Sequence, residues 1–346
     1  MKKYKVFCYQ CGKEYQDQWW LCPACGGSLE VAYAQTLDTP QFPTNIFIES
    51  LGEGNTPLIR LSILSKKYFC DLWAKCEMQN PTGSFKDRGS VIEIAKALEL
   101  GMSGIVCAST GNMAASLAAY ATRIGLRCIV VIPVKTPISK LQQAVICGAE
   151  LIKVQGAYDE CVKVAKKIAQ QKKYFLCGDY LLRREGQKTL GWELANSCFD
   201  AFIIPVGNGN IGLAVAKGIS EFIREKNLPQ FVGVQSTQVN PLEKAWVTRT
   251  EIFPVKNRNT IASACNVGNP LDGAFTLDVV KKTRGCFVAA TDKEILTSQD
   301  FLAKNEGLYV EATAASTLAG FIKIRKQFRN KKVVLILTGS GLKERK

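Results

Sequence analysis

Residues 80–89 read NPTGSFKDRG and place one lysine, Lys86, between a Gly-Ser-Phe turn and an apolar segment of helical pattern, SVIEIAKALEL. A lysine amine can bond covalently to a carbonyl carbon and can carry protons during catalysis. The alternative is a solvated lysine at the start of a surface helix. The sequence contains no histidine, which excludes Ser-His-Asp and Cys-His catalytic groups and histidine-ligated metals. An enzyme built from this chain must therefore use lysine, carboxylate, thiolate or a cofactor.

Three further turns place hydroxyls, amides and glycines directly after apolar, strand-like segments. In chain order they are Ser109-Thr110-Gly111-Asn112, Gly207-Asn208-Gly209-Asn210 and Thr338-Gly339-Ser340-Gly341. Free N–H groups at the start of a following helix can bind a carboxylate or a phosphate. Each turn taken alone also fits a plain helix cap or a glycine turn. The second turn has neither the GK[ST] of a Walker loop nor the GxGxxG of a dinucleotide fold.

The elements that position these turns alternate between apolar strands and helices. Strand-like segments occur at 104–110, 126–133, 150–156, 201–206, 231–236 and 333–341, with helical segments between them. Such an alternation predicts parallel sheets with crossover helices. Because ligands bind at the carboxyl ends of strands in open α/β sheets, each strand-to-helix turn is a candidate site.

Composition limits the class of protein. With 346 residues and 47% hydrophobic residues, the chain can form about two domains. Its formal charge of +15 favours anionic partners such as nucleic acid, a membrane surface or a phosphorylated metabolite. The basic residues are dispersed, which weakens the nucleic-acid interpretation. No signal peptide and no run of about 18 apolar residues is present, so we expect a cytoplasmic protein that binds no membrane.

Four of the 14 cysteines are spaced for a metal. Cys8-x-x-Cys11 and Cys22-x-x-Cys25 are separated by ten residues, and each pair is followed by glycine. Two such CxxC pairs can bind one Zn²⁺ tetrahedrally, and four thiolates complete a structural site. A metal-free remnant or a redox pair is the alternative. Ribbons of this kind also occur in nucleic-acid-binding proteins, which keeps that interpretation open on the cysteines alone.

Taken together, the motifs resemble the fold-type II pyridoxal-phosphate enzymes, and among them the threonine synthase family. The resemblance covers roughly residues 50 to 343 and rests on NPTGSFKDRG, STGN, PVGN and LTGSGLK, on GNTPL at 54–58, EGQKT at 185–189 and GNP at 268–270. It implies two open parallel-sheet α/β domains behind a small N-terminal zinc ribbon. The implied divisions are a ribbon at 1–35, a large cofactor-binding domain at 36–88 and 176–346, and a small domain at 89–175. A ribbon also precedes the catalytic domain in some relatives, so it requires no nucleic-acid partner. A homodimer is expected.

The resemblance also implies residue roles. Lys86 would hold pyridoxal 5′-phosphate covalently and move protons, with Phe85 packed beside it. Asn112 would hydrogen-bond the cofactor's 3-hydroxyl, and Thr338 would face its ring nitrogen. The cofactor phosphate would lie on Gly207, Asn208, Gly209 and Asn210, and the substrate carboxylate on Ser109, Thr110 and Gly111. The implied activity is that of a carbon–oxygen lyase, which eliminates the γ-phosphate of O-phosphohomoserine and adds water at the β-carbon to give L-threonine.

Several positions depart from the family pattern. Met113 follows STGN, where the family has threonine or a small residue, and Ser340 replaces the histidine of LTGHGLK. Cys177 and Gly178 stand where relatives have Asn-Ser for the substrate phosphate, and the PVGN loop is one residue shorter. Each charged hydrogen bond to a phosphate is worth roughly 1.5–3 kcal/mol. Losing several without replacement would weaken binding of a phosphorylated substrate.

Arg183 is the remaining candidate to bind the phosphate of a small anionic amino-acid substrate, helped by Arg184 or Lys188. The departures leave a second hypothesis open: a divergent paralogue that performs β-elimination or β-replacement on O-phosphoserine, serine or threonine. A non-catalytic zinc-ribbon protein is a third, and the retained lysine motif argues against it.

Overall fold

The computed structural model describes residues 4–16, 20–34, 38–156, 158–223, 228–255 and 259–344, without the side chains of residues 139 and 140. Within these ranges the chain forms three β-sheets. The strands are, in chain order, β1 (Tyr4–Cys8), β2 (Glu14–Tyr15), β3 (Leu29–Tyr33), β4 (Leu58–Arg60), β5 (Asp71–Lys75), β6 (Gly104–Ala108), β7 (Arg127–Pro133), β8 (Glu150–Val154), β9 (Phe175–Cys177), β10 (Ala201–Pro205), β11 (Gln230–Ser236), β12 (Cys286–Ala290) and β13 (Lys332–Ile336). The α-helices are α1 (Ser62–Tyr68), α2 (Lys86–Glu99), α3 (Asn112–Arg123), α4 (Gln142–Ile146), α5 (Tyr158–Lys172), α6 (Leu181–Gln187), α7 (Thr189–Ala195), α8 (Asn210–Ile223), α9 (Pro241–Thr248), α10 (Gly273–Lys282), α11 (Asp292–Glu306) and α12 (Ala312–Ile324).

The larger α/β sheet has six strands in the order β12-β11-β10-β13-β5-β4. All neighbours are parallel except β4, which runs antiparallel to β5. The central strand β10 reads AFIIP and is buried along its whole length, as a parallel strand covered on both faces must be. Its side chains alternate between two cores: Ile203 packs with Leu318 of α12, and Ile204 packs with Val215 of α8.

The smaller α/β sheet is fully parallel, in the order β8-β7-β6-β9. On one face Cys107 packs with Leu117 of α3, and on the other Val106 packs with Cys161 of α5. The six strands predicted from the sequence all occur, and β4, β5, β9 and β12 are further strands of these two sheets. The predicted fold class of two parallel α/β sheets behind a small ribbon is therefore confirmed, whereas the domain boundaries stay predictions.

The N-terminal ribbon is a three-stranded antiparallel sheet in the order β2-β1-β3. Its core contains Val6, Leu29 and Val31, and these contact Tyr180 and Leu181 at the start of α6. The ribbon thus packs against the segment that follows β9. Among the helices described, none is long and apolar enough to cross a membrane.

Candidate active site

Lys86 is the first residue of α2, and the loop that precedes it pairs with the loop after β13. The N–H of Phe85 donates to the carbonyl oxygen of Thr338 at 3.1 Å, and the N–H of Ser340 donates to the carbonyl oxygen of Gly83 at 3.0 Å. Thr338 is almost fully buried. Although 252 residues of sequence separate them, the lysine loop and the C-terminal turn therefore form one side of the same site.

The Lys86 amine lies beside an aspartate that the motifs did not single out. Lys86 Nζ is 2.6 Å from Asp179 Oδ1 and 4.8 Å from the ring centre of Phe85. The side chains of Lys86 and Asp179 are 14% and 25% exposed. Although burial opposes its ionisation, the Lys86 ammonium and the Arg183 guanidinium hold the pKa of Asp179 below its usual range. Asp179 follows β9, a strand that was not predicted from the sequence, so the strand-end rule that selected the other turns would have found it only if that strand had been recognised.

Arg183, the predicted ligand of the substrate phosphate, is fully buried beneath the lysine. Its guanidinium pairs closely with Glu93, and Nη1 donates to the carbonyl oxygen of Lys86 at 3.2 Å and to Ser90 Oγ at 3.3 Å. Burial raises the pKa of Glu93, and the positive charge of Arg183 only partly offsets that rise. This arginine therefore holds the α2 backbone at Lys86, and its role as a substrate ligand stays a prediction.

The two other cations considered for the substrate are also paired within the protein. Arg184 Nη2 lies 2.8 Å from Asp272, and Lys188 Nζ lies 2.7 Å from Glu185. Both cations are at most 1% exposed. Neither presents a free charge to an incoming phosphate.

Asn112 and Thr338, two predicted cofactor ligands, are linked by Glu311. Asn112 Nδ2 donates to Glu311 Oε2 at 2.9 Å, and Thr338 Oγ1 donates to Oε1 at 3.2 Å. Burial raises the pKa of Glu311, although both hydrogen bonds favour its ionised form. Asn112 begins α3, so the first predicted turn and the C-terminal turn meet at this carboxyl group. Nothing local in the sequence marks Glu311, because it faces Asn112 across 199 residues of chain.

The Gly-Asn turn leads directly into α8 and leaves its N–H groups available. Among the described residues, the backbone N–H groups of residues 207 to 210 have no protein acceptor. Gly209 has φ +99°, and a Cβ there would lie 1.9 Å from Thr276 Oγ1. A side chain is therefore excluded at position 209, and the turn exposes backbone N–H groups at a helix N-terminus. That is a suitable arrangement for a phosphate.

The remaining predicted substrate turn is held by its own serine. Ser109 Oγ accepts from the N–H groups of Gly111 at 3.4 Å and Ala114 at 3.3 Å, so the serine caps α3. Thr110 and Gly111 stay partly exposed at the turn. Among the described residues, the N–H groups of Asn112 and Met113 have no acceptor, so the N-terminus of α3 can present these two to a carboxylate.

The residues that depart from the family pattern serve packing and capping. Met113 is buried in the core of the smaller sheet, as is Cys177. The N–H of Gly178 donates to Glu93 Oε1 at 2.9 Å, and Ser340 Oγ accepts from the N–H of Leu342 at 3.3 Å.

These groups fit pyridoxal phosphate. They offer a lysine amine, a phosphate cradle of free N–H groups at residues 207 to 210, and a buried hydroxyl at Thr338. Asn112 reaches the same carboxyl group as Thr338, and so lies where it can contact one planar ring. Lys86 would hold the cofactor, and the cofactor would supply the electron sink that carbanion chemistry requires.

The four ribbon cysteines converge as the spacing predicted. Cys8 Sγ and Cys25 Sγ are 3.5 Å apart, Cys11 Sγ and Cys22 Sγ are 3.6 Å apart, and all four sulfurs lie within 4.8 Å of one another. Zinc–sulfur bonds of about 2.3 Å in a tetrahedron require sulfur–sulfur distances of about 3.8 Å. The cluster therefore has the size and the ligand set of a structural zinc site.

Comparisons with known proteins agree with this arrangement. The family model described as pyridoxal-phosphate dependent enzyme matches residues 49–339. The threonine synthase of Methanocaldococcus jannaschii is 38% identical, with 97% of this chain and 92% of that protein aligned. The threonine synthase of Bacillus sp. (strain ULM1) is 40% identical over 85% of each. The structure of maize serine racemase superposes with a TM-score of 0.75 at 21% identity, covering 83% of this chain and 88% of that one, which shows a shared fold.

The fold and the lysine site define a pyridoxal-phosphate-dependent enzyme of fold type II. Within that class the chain belongs to the threonine synthase family, to which the aligned relatives connect it over nearly its full length. The predicted family and the predicted lyase type of enzyme are confirmed. The individual site roles are not tested by these comparisons and stay predictions.

Proposed function

We propose that this chain converts O-phosphohomoserine to L-threonine and inorganic phosphate. The observation that carries the proposal is a set of contacts around Lys86: its loop bonds Thr338, Thr338 and Asn112 share Glu311, and Asp179 beside the amine contacts Asn208 of the Gly-Asn cradle. The threonine synthases that align with the chain support the choice of reaction. The 3.1 Å bond between Phe85 and Thr338 fixes the lysine against the proposed ring site.

Each of the site residues has a defined task in this proposal. Bound pyridoxal phosphate supplies the electron sink for carbanions, and the N–H groups of residues 207 to 210 hold its phosphate. Lys86 would carry one proton at a time: it would take the proton from the substrate's α-carbon and give it up before it takes one from the β-carbon, and protons would later return to the α-carbon and to the γ-carbon that phosphate has left. The N-terminus of α3 orients the substrate carboxylate. Asp179, 2.6 Å from the amine, stabilises Lys86 whenever Nζ carries the extra proton.

One observation favours a second candidate, a lyase of the divergent-paralogue kind that acts on serine or threonine; O-phosphoserine, the third substrate of that hypothesis, carries a phosphate and gains nothing from it. Asp179 places a carboxylate beside the amine, and Glu93 occupies the Arg183 guanidinium. A substrate dianion near Asp179 would meet like charge at short range in a partly buried site. A hydroxyl leaving group avoids that repulsion.

We further propose one structural Zn²⁺ on Cys8, Cys11, Cys22 and Cys25, whose sulfur spacing supports a tetrahedral site. A homodimer and a cytoplasmic location remain proposals based on the family resemblance and on the sequence. A phosphorylated amino acid is the substrate class that the threonine synthase relatives imply.

A product assay with purified protein and pyridoxal phosphate separates the two candidates. The threonine synthase reaction releases phosphate and threonine in equal amounts from O-phosphohomoserine. Pyruvate from serine or O-phosphoserine, or 2-oxobutyrate from threonine, would instead identify the second candidate.

The protein loaded with pyridoxal phosphate should absorb at about 410–420 nm, as enzymes that hold this cofactor on a lysine do. Lys86→Ala should lose that band, whereas Lys293→Ala, which changes an exposed lysine of α11, should keep it. Failure of the wild-type chain to develop the band would overturn both candidates.

A further inference from the structure

We propose that Arg184 is a positioning residue that couples the cysteine ribbon to the phosphate cradle. Zinc in the ribbon and cofactor in the cradle would then strengthen each other's binding. The inference concerns communication between two sites and holds whichever amino acid the enzyme converts. It rests on a buried guanidinium whose donors reach the ribbon, the cradle and α10.

Arg184 is 1% exposed, and its donors reach three parts of the fold. Nε donates to Asn210 Oδ1 at 3.0 Å. Nη1 donates to the carbonyl oxygen of Leu29 in the ribbon at 2.9 Å. Nη2 donates to Asp272 Oδ1 at 2.8 Å. A planar guanidinium holds its donors in one rigid fork, so displacement of one partner moves the donors that face the other two.

The ribbon end of this connection is three residues from a predicted zinc ligand. Ser28 Oγ donates to Asp272 Oδ1 at 2.6 Å, so the ribbon contacts both Arg184 and the acid that pairs with it. The N–H of Cys22 donates to the carbonyl oxygen of Gly27 at 2.8 Å, which ties residues 27 to 29 to the second cysteine pair. Because structural zinc supplies much of a ribbon's folding free energy, metal loss would release this segment.

The cradle end of the connection is the first residue of α8. Asn210 is 4% exposed, and its amide is held by Arg184 on one side and by Gln187 Oε1, 3.3 Å from Nδ2, on the other. The same residue closes the Gly-Asn turn whose N–H groups are free for a phosphate. If Arg184 shifts, the buried side-chain oxygen Oδ1 of Asn210 loses its hydrogen-bond donor. The Gly-Asn turn then loses a contact that fixes its position.

A merely structural role for Arg184 makes a different prediction. A structural contact would lower stability when removed but would leave cofactor and metal affinities independent of each other. Coupling between two ligands is reciprocal: the factor by which zinc changes the affinity for the cofactor equals the factor by which the cofactor changes the affinity for zinc. Reciprocity is therefore the readout that distinguishes positioning from general stabilisation.

The test titrates the full chain with pyridoxal phosphate, with zinc bound and after chelation. We expect chelation to raise the Kd of pyridoxal phosphate about tenfold, within the range of ~5–150-fold typical of coupled sites. Saturating pyridoxal phosphate should lower the Kd of zinc, measured by competition with a chelating dye, by the same factor. Both readouts are binding constants and require no turnover.

Two variants and one control locate the coupling. Arg184→Lys keeps a positive charge next to Asp272 but cannot form the fork, and Ser28→Ala removes only the ribbon hydroxyl. Both should reduce the coupling factor toward one. Tyr9→Phe is the matched control, since its hydroxyl bonds Asp278 and Lys282 at the same ribbon surface without contacting Arg184. Its coupling factor should stay within twofold of the wild-type value.

Equal cofactor affinities with and without zinc in the wild-type chain would overturn the proposal. An undiminished coupling factor in Arg184→Lys would also overturn it, as would a loss as large in Tyr9→Phe as in Ser28→Ala. If chelation unfolds the whole chain, the affinities of zinc-loaded Ser28→Ala and Tyr9→Phe for pyridoxal phosphate decide. The proposal requires weaker binding in Ser28→Ala alone.

Discussion

Replacing Asp179 with asparagine isolates the charge that faces Lys86. In the cofactor-free chain this change breaks an ion pair of 2.6 Å whose members are 14% and 25% exposed. Removing one partner of a fully buried pair costs about 3–5 kcal/mol. Both side chains keep some solvent contact, and the asparagine oxygen can still accept from Lys86. We therefore expect the free energy of unfolding to fall by about 2 kcal/mol at pH 7.

The pH dependence of this loss has a definite sign. The pKa of Asp179 lies below its usual range in the folded chain, against about 3.9 when unfolded. The ionised carboxylate therefore contributes stability above about pH 4, and that contribution is lost as the pH falls through the folded pKa. Asparagine does not titrate, so the difference between wild type and variant should be largest near neutral pH and should shrink toward pH 3.

Urea unfolding of the cofactor-free proteins at pH 7 and pH 3.5 measures both quantities. Asp300→Asn is the matched control, because it removes the same charge from a pair with Lys304 at 2.8 Å whose members are 69% and 73% exposed. Such an exposed pair contributes at most about 1 kcal/mol. Equal shifts in the two variants, or an Asp179→Asn shift that is unchanged at pH 3.5, would refute the assignment of a stabilising buried pair.

Three further predictions concern the metal, the cradle and the Glu311 carboxyl group. The full chain should contain one zinc atom by metal analysis, and Cys22→Ser should lower both the zinc content and the melting temperature; an unchanged content would reject the site. Gly209→Ala, whose methyl would collide with Thr276, should weaken pyridoxal phosphate binding at least about tenfold, the loss expected for one charged hydrogen bond. Gly307→Ala has a similar positive φ and open space around it, so cofactor titration of this control should match wild type. The pKa of Glu311 is raised, so its stability contribution is present below an unfolded pKa of about 4.3 and is lost as the pH rises. Glu311→Gln should therefore make the cofactor-free chain more resistant to urea at pH 8 but not at pH 4, and a loss of resistance at pH 8 would contradict the assignment.

The sequence predicts the central strands well because burial on both faces demands an uninterrupted apolar run. Strands β6 and β10 are both buried at every position, and their segments are recognisable without structural information. Strand β5 reads DLWAK and carries a charge at each end, so its pattern did not single it out. Its place next to β13 is determined by pairing with a strand that is distant in sequence. The local alternation of apolar and polar residues carries no information about such pairing.

In the candidate site, too, the features set by local sequence were predicted and those set by distant contacts were not. Lys86 and the three turns were predicted because position at a strand end or helix start is a local property that sequence records. The pairing of charges was not predicted, because it depends on distant partners: Arg183 meets Glu93 across 90 residues, and Asn112 meets Glu311 across 199. An arginine whose partner is not evident from the sequence therefore cannot be assigned to a particular anion from its motif alone.

The long-range attraction of anions to the protein surface and the binding of an anion within the site thus depend on different groups of this chain. The excess of 45 basic over 30 acidic residues attracts anions to the surface, an effect that salt screens over about 8–10 Å. Near Lys86, by contrast, Arg183 is paired with Glu93 and Lys86 with Asp179. The N–H groups that begin α3 and α8 are neutral donors that can still bind an anion there. Higher ionic strength should therefore slow the arrival of an anionic substrate more than it weakens the contacts that hold the substrate once bound.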